Sequence, residues 1–161
     1  MAKAREALYQ EFASCLSDIY QGDLYQKRGF KSFGDYLEAE LGLSLRTGQF
    51  LVTYGLWYGS QSKDIQEKLR KLGFSKARLL MGRLNRENAL EVIEHAANTS
   101  IKTLGDVEAA AMDRYRDMKT TEIVEELSKE IPEHLSVETL LDWIYNEREL
   151  IISYIRSLTD E

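Results

Sequence analysis

Apolar residues recur at three- and four-residue intervals along much of the chain, and no segment alternates apolar and polar residues over more than four positions. That period predicts helices, not strands. The first helix falls over residues 4–20, where Leu8, Phe12, Cys15, Leu16 and Ile19 share a face. Gly22 and Asp23 interrupt it, and Leu24 and Tyr25 carry a short turn that lasts until Gly29. Ser32 then supplies an N-cap for a helix through Leu41, with Phe33, Tyr36, Leu37 and Leu41 as its buried stripe. Gly42 stands where a left-handed stop belongs, and Leu43 follows it. Ser44 caps a helix to about Tyr58 that bears Leu51, Tyr54 and Tyr58 on one stripe, with Phe50 and Trp57 beside it.

The same punctuation returns further along. Leu41-Gly42-Leu43-Ser44 and Leu72-Gly73-Phe74-Ser75 share one four-residue pattern, which predicts two tight helix–Gly–helix corners. In the second, Ser62 caps a helix to Leu72, Gly73 stops it, and Ser75 caps a helix through Leu84. Further helices are expected at about 86–97, 103–118, 121–131 and 137–158, with Asn98-Thr99-Ser100 and Pro132 as the clearest breaks. The expected fold is all-α: a compact multi-helix domain with one or two helix-turn-helix corners and a long C-terminal helix. Residues 1–118 form its helix-turn-helix region, and residues 119–161 form an acidic helical region for packing or dimerisation.

The last helix is about 33 Å long at 1.5 Å per residue. Val137, Leu140, Leu141, Ile144, Ile151, Ile155 and Leu158 give it a broad apolar stripe, and Leu150-Ile151-Ile152-Ser153-Tyr154-Ile155 is apolar nearly all round. Such a helix is buried on more than one side or meets another chain. Leu141, Ile144, Ile151, Ile155 and Leu158 are therefore candidates for core packing or for a homodimer seam.

Composition limits the possibilities. A chain of 161 residues with 43% apolar content buries enough surface to fold without disulfides or metal. Cys15 is the single cysteine, so a reducing compartment is expected. The opening MAKAREALYQ lacks an apolar run, and no stretch approaches the roughly 18 apolar residues of a membrane span. A cytoplasmic protein without a membrane partner is the expectation.

Charge is unevenly spread. The net −6 resolves into −1 over residues 1–60, +6 over 61–86 and −11 over 87–161. The basic middle holds Lys63, Lys68, Arg70, Lys71, Lys76, Arg78, Arg83 and Arg86. Asymmetry of this kind points to nucleic acid or to a charged partner surface.

Catalytic signatures are missing from the sequence. It contains neither GxxxxGK[ST] nor GxGxxG, and His95 and His134 stand outside HxxxH or HExxH spacing. Glu91 and His95 are one helical turn apart, but two ligands do not close a metal site. Cys15 lies on an apolar stripe and reads as a small core residue. Glu125, Glu126, Glu130, Glu133, Glu147 and Glu149 read as a solvated face. No catalytic residue, metal or cofactor is expected.

The corner at residues 42–44 carries the functional information. A helix-turn-helix needs a residue tolerant of positive φ, an apolar residue after it and a cap for the second helix. Gly42, Leu43 and Ser44 supply these in order, with Leu37, Leu41 and Leu51 placed to lock the helices and Gly48 to let them approach. Arg46, Thr47, Gln49 and Phe50 then fall near the exposed start of the second helix. Arg46 and Gln49 suit bidentate reading of guanine and adenine edges, and Phe50 a thymine methyl. Ser44, Lys63, Lys76, Arg78, Arg83 and Arg86 are the candidate phosphate contacts.

The stretch Gly29-Phe30-Lys31-Ser32-Phe33-Gly34-Asp35-Tyr36-Leu37, followed by Leu41 to Thr47, resembles a helix-turn-helix module of phage and plasmid DNA-binding proteins. It is similar to regions of ParB-type partition proteins and phage regulators. Leu72 to Leu80 and Arg86 to Ala89 resemble the segment that follows in such proteins, so the resemblance spans about residues 22–110. It implies sequence-specific binding of double-stranded DNA, as a regulator of transcription or nucleoprotein component, usually by a dimer. Gly48 and Phe50 depart from the small alkyl and polar residues common there, and no nucleotide-binding motif of the ParB type is present. The rival reading is an acidic helical interaction protein or inhibitor from a mobile element, which grips a protein partner through its C-terminal half.

Overall fold

The computed structural model describes residues 2–81, 84, 87–100 and 131–159. Four serines start four of its helices. The Oγ atoms of Ser32, Ser44, Ser62 and Ser136 accept the backbone N–H groups of Asp35, Thr47, Ile65 and Thr139 at 3.1–3.3 Å. Each bond satisfies a donor that a helix N-terminus leaves without an intrahelical acceptor.

Along the chain, α1 (Ala2–Gln21) is followed by a 3-10 turn (Leu24–Arg28). Next come α2 (Phe33–Tyr36), which runs on as a π-helical turn (Leu37–Leu41), then α3 (Leu45–Ser60) and α4 (Lys63–Leu72). A short α5 (Phe74–Ala77) leads into a 3-10 turn (Arg78–Leu80), before α6 (Ala89–Ala97) and α7 (Val137–Thr159). The fold is all-helical, and no described helix is long and apolar enough to cross a membrane.

Helix α1 is the hub. Phe12, Ala13, Leu16 and Ile19 are fully buried, and the helix contacts α3, α4, α5 and α7. Its closest neighbour is α3, where a Cβ on Gly55 would stand 2.1 Å from the Ala13 carbonyl oxygen. Aromatic rings continue the core outward. Phe74 meets Tyr9 and Tyr54 edge-on at 4.7 and 4.9 Å, and Trp143 of α7 meets Phe12 edge-on at 5.0 Å. Gln10, also fully buried, donates to the Leu69 carbonyl and accepts from the Tyr54 hydroxyl, so one side chain bridges α1, α3 and α4.

The second corner departs from the expected geometry. Gly42 is left-handed as predicted, at φ 61° and ψ 33°, but Gly73 sits at φ 94° and ψ 152°, a region open to little but glycine. Ser75 does not cap a helix, because both its N–H and its hydroxyl donate to the Glu6 carboxylate of α1. The helix starts at Phe74 instead and leaves helical geometry at Met81, short of Leu84. The two corners share a pattern in sequence and differ in structure, since Glu6 takes over the role assigned to Ser75.

Helix α7 covers residues 137–159, as its periodicity predicts, but its apolar stripe divides between two faces. Leu140, Trp143, Glu147 and Ile151 point inward, with Ile144 packed beside them. Leu141, Tyr145 and Ile155 point outward. The helices expected at 103–118 and 121–131, and the boundary between residues 118 and 119, lie outside the described residues.

Candidate nucleic-acid interface

The corner between α2 and α3 is built from short-range contacts. Gly42 turns the chain, and the Leu43 N–H reaches back to the Leu37 carbonyl at 3.2 Å while the Leu43 side chain is buried. Helix α3 then packs tightly on the turn before it: a Cβ on Gly48 would stand 2.1 Å from Leu37 Cδ1. The three-residue connection 42–44 lies within the span usual for a helix-turn-helix.

On α3 the structure separates the predicted base readers. Arg46 and Gln49 are exposed on the outer face, with Thr53 a further turn along. Thr47 is half-buried, and its Oγ1 accepts from the Ser44 hydroxyl at 3.1 Å. Ser44 spends both its donor and its acceptor on Thr47, so its hydroxyl is a cap. Phe50 is half-buried and packs against the core.

Part of the basic segment is turned to structural use. Arg78 is 4% exposed, with its guanidinium over the Phe74 ring at 5.8 Å, so the structure removes it from the surface offered to phosphate. Lys76 donates to the Ala97 carbonyl at 3.3 Å, where a cation suits the C-terminal end of α6. Arg70 pairs with Glu11 at 3.0 Å, which also accepts from the Tyr58 hydroxyl. Lys63 is exposed at the start of α4, beyond the far end of α3 from Arg46. Arg83 and Arg86 lie outside the described residues. Among the described residues, the predicted base readers and phosphate contacts thus do not gather into one cluster.

A polar network behind the corner has no counterpart among the sequence expectations. Trp143 Nε1 donates to the Tyr36 hydroxyl at 2.9 Å, and Arg28 pairs with Glu147 at 3.2 Å while donating to the Asn146 carbonyl at 2.7 Å. Glu147 is 4% exposed, which corrects its placement on a solvated face. Burial, followed by the negative charge of Glu147, pushes the Tyr36 phenol well above its ordinary range. A signal was present in the sequence: Glu147 lies seven residues after Leu140 and four before Ile151, inside the apolar stripe. His134 Nε2 also donates to the Leu41 carbonyl at 2.8 Å, and its ring lies over Gly42. The C-terminal segment therefore presses directly on the first helix of the corner.

Burial, with the charges of Asp18 and Glu11, pushes the Cys15 thiol up to about 12, so it stays protonated and unreactive at neutral pH. No group of three metal-ligating side chains occurs among the described residues. Comparison with known protein families, curated proteins and solved structures finds no match to the chain.

Proposed function

We propose that this chain binds double-stranded DNA in a sequence-dependent manner through the α2–α3 corner, as a non-catalytic regulator or nucleoprotein component of phage or plasmid type. The observation that carries the reading is the outer row of Arg46, Gln49 and Thr53 on a helix whose start is fixed by Gly42, Leu43 and Ser44. Side chains at the exposed start of a second helix are the ones that reach base edges in the major groove. Of the described basic side chains among the phosphate candidates, Lys63 is the exposed one.

Fluorescence anisotropy with random and source-genome duplexes, from about 50 to 200 mM salt, tests this reading. Affinity should fall with a slope near −0.9 per neutralised phosphate, and a cognate fragment should bind about a thousandfold more tightly than random DNA. Arg46→Ala and Gln49→Ala should relax sequence preference at a cost of about 1–3 kcal/mol each. Lys63→Ala should weaken all duplexes alike and reduce the salt slope by about one. No binding at the lowest salt overturns the proposal and leaves the acidic partner-binding protein as the reading.

A further inference from the structure

Helix α7 carries a second apolar row, Ile152 half-buried and the rest exposed, that the core of the described residues leaves out. Leu141, Tyr145, Ile152 and Ile155, with Arg148 among them, follow the alternating four–three spacing of a coiled-coil seam. Leu141 is 50%, Tyr145 74% and Ile155 45% exposed, while Leu140, Trp143 and Ile151 on the other side fill the core. A helix that meets α1 on one face and bears a seam on the other is built for a second helical contact.

The charges flanking this seam name the occupant. Asp142, Glu149 and Arg156 are exposed and stand seven residues apart along one side of it. In an antiparallel pair of identical α7 helices whose two-fold axis passes near Glu149, Asp142 of each copy faces Arg156 of the other. The same axis brings Glu149 near its own copy, and Arg148, beside the axis, lies next to Glu149 of the second copy. A parallel pair gives Asp142 and Arg156 no such opposite. We infer that α7 pairs antiparallel with α7 of a second copy of this chain through Leu141, Tyr145, Ile152 and Ile155, oriented by Asp142 and Arg156.

The exposed row covers on the order of 400 Å² per copy, about half of what a standard stable interface buries on each side. An interface of that size makes association weak and reversible. The inference does not rest on DNA binding, and either can fail alone.

Sedimentation velocity of the full chain from about 1 to 200 μM reads the equilibrium directly. A concentration-dependent dimer is expected. The double variant Tyr145→Glu/Ile155→Glu changes only outward positions, so it should keep its helical signal and Tm, yet weaken association by more than about a hundredfold. Arg156→Glu should weaken it about tenfold, because the contact occurs twice, and Asp142→Arg added to Arg156→Glu should restore it to within about threefold. A wild-type chain that is monomeric throughout overturns the proposal, whether its own residues or another protein cover the seam. A dimer indifferent to Tyr145→Glu/Ile155→Glu also overturns it. Failure of the charge swap to restore pairing overturns the antiparallel arrangement.

Discussion

Gly55 and Gly48 both lie on the buried side of α3, yet they face different obstacles. A Cβ at Gly55 meets backbone, the Ala13 oxygen at 2.1 Å and its carbonyl carbon at 2.6 Å, so α1 and α3 must separate to admit it. A Cβ at Gly48 meets the Leu37 side chain, whose terminal methyl can rotate within the core. Alanine returns about 1 kcal/mol of helix propensity at either site. Gly55→Ala should therefore lower stability by about 3 kcal/mol or more, and Gly48→Ala by less than about 2 kcal/mol, in urea unfolding. Equal costs would contradict the close crossing of α1 and α3. Asp18 makes a second prediction at this scale. Burial raises its carboxyl from 3.8 to about 6, so the fold favours the protonated form. That contribution is fully present below pH 3.8 and is lost as pH rises through about 6. Asp18→Asn should raise Tm relative to wild type at pH 7, and the difference should shrink to nothing near pH 3.5, as read by thermal melts at the two pH values.

At the scale of helices, the starts were legible and the registers were not. Ser32, Ser44 and Ser62 announce their helices because a cap bonds to a group three residues away, and Gly42 announces its turn because the chain needs a left-handed residue there. Ser75 misleads because its partner, Glu6, is 69 residues distant and no local pattern encodes it. The face of α7 was equally hidden, since apolar residues occupy both sides and packing on α1, Tyr36 and Arg28 decides which side is buried. The set predicted to face DNA divides likewise: Arg46 and Gln49 emerge exposed, whereas Phe50 is half-buried against the core and Arg78 lies buried over the Phe74 ring. Glu147 joins α7 to the residues ahead of the corner through Arg28, and its inward position makes it sensitive. Removing one partner of a buried ion pair leaves an uncompensated charge, so Arg28→Ala should cost about 3 kcal/mol, discounted toward 2 because Arg28 is partly solvated. Glu147→Ala should cost a similar amount, and the double variant should cost clearly less than the sum. Additive losses in a double-mutant cycle would show that the two side chains act independently.

Across the whole molecule, the start of α1 is fastened to the segment that leads into α7. Arg5, near the start of α1, donates from Nε to the Leu135 carbonyl at 2.9 Å and from Nη2 to the carbonyls of Ile131 and Pro132. Its partners lie about 130 positions away in the sequence, and Leu135, one of them, is fully buried. The clasp holds the segment that leads into α7, while His134 in the same segment bonds to Leu41 and covers Gly42. Loss of Arg5 therefore acts at a distance, through the seating of α7 on α1 and the support behind the α2–α3 corner. Hydrogen bonds from a charged donor contribute roughly 1.5–3 kcal/mol, so Arg5→Ala should lower stability by about 2–3 kcal/mol although its side chain is only partly buried. Because α7 shares the core of α1 through Phe12 and Trp143, unfolding should remain a single transition. Tryptophan fluorescence and far-ultraviolet circular dichroism should give coincident urea midpoints for Arg5→Ala, both shifted down from wild type. An earlier transition in fluorescence alone would mean that α7 detaches before the remaining helices melt, and that the clasp, not the shared core, makes the molecule one cooperative body.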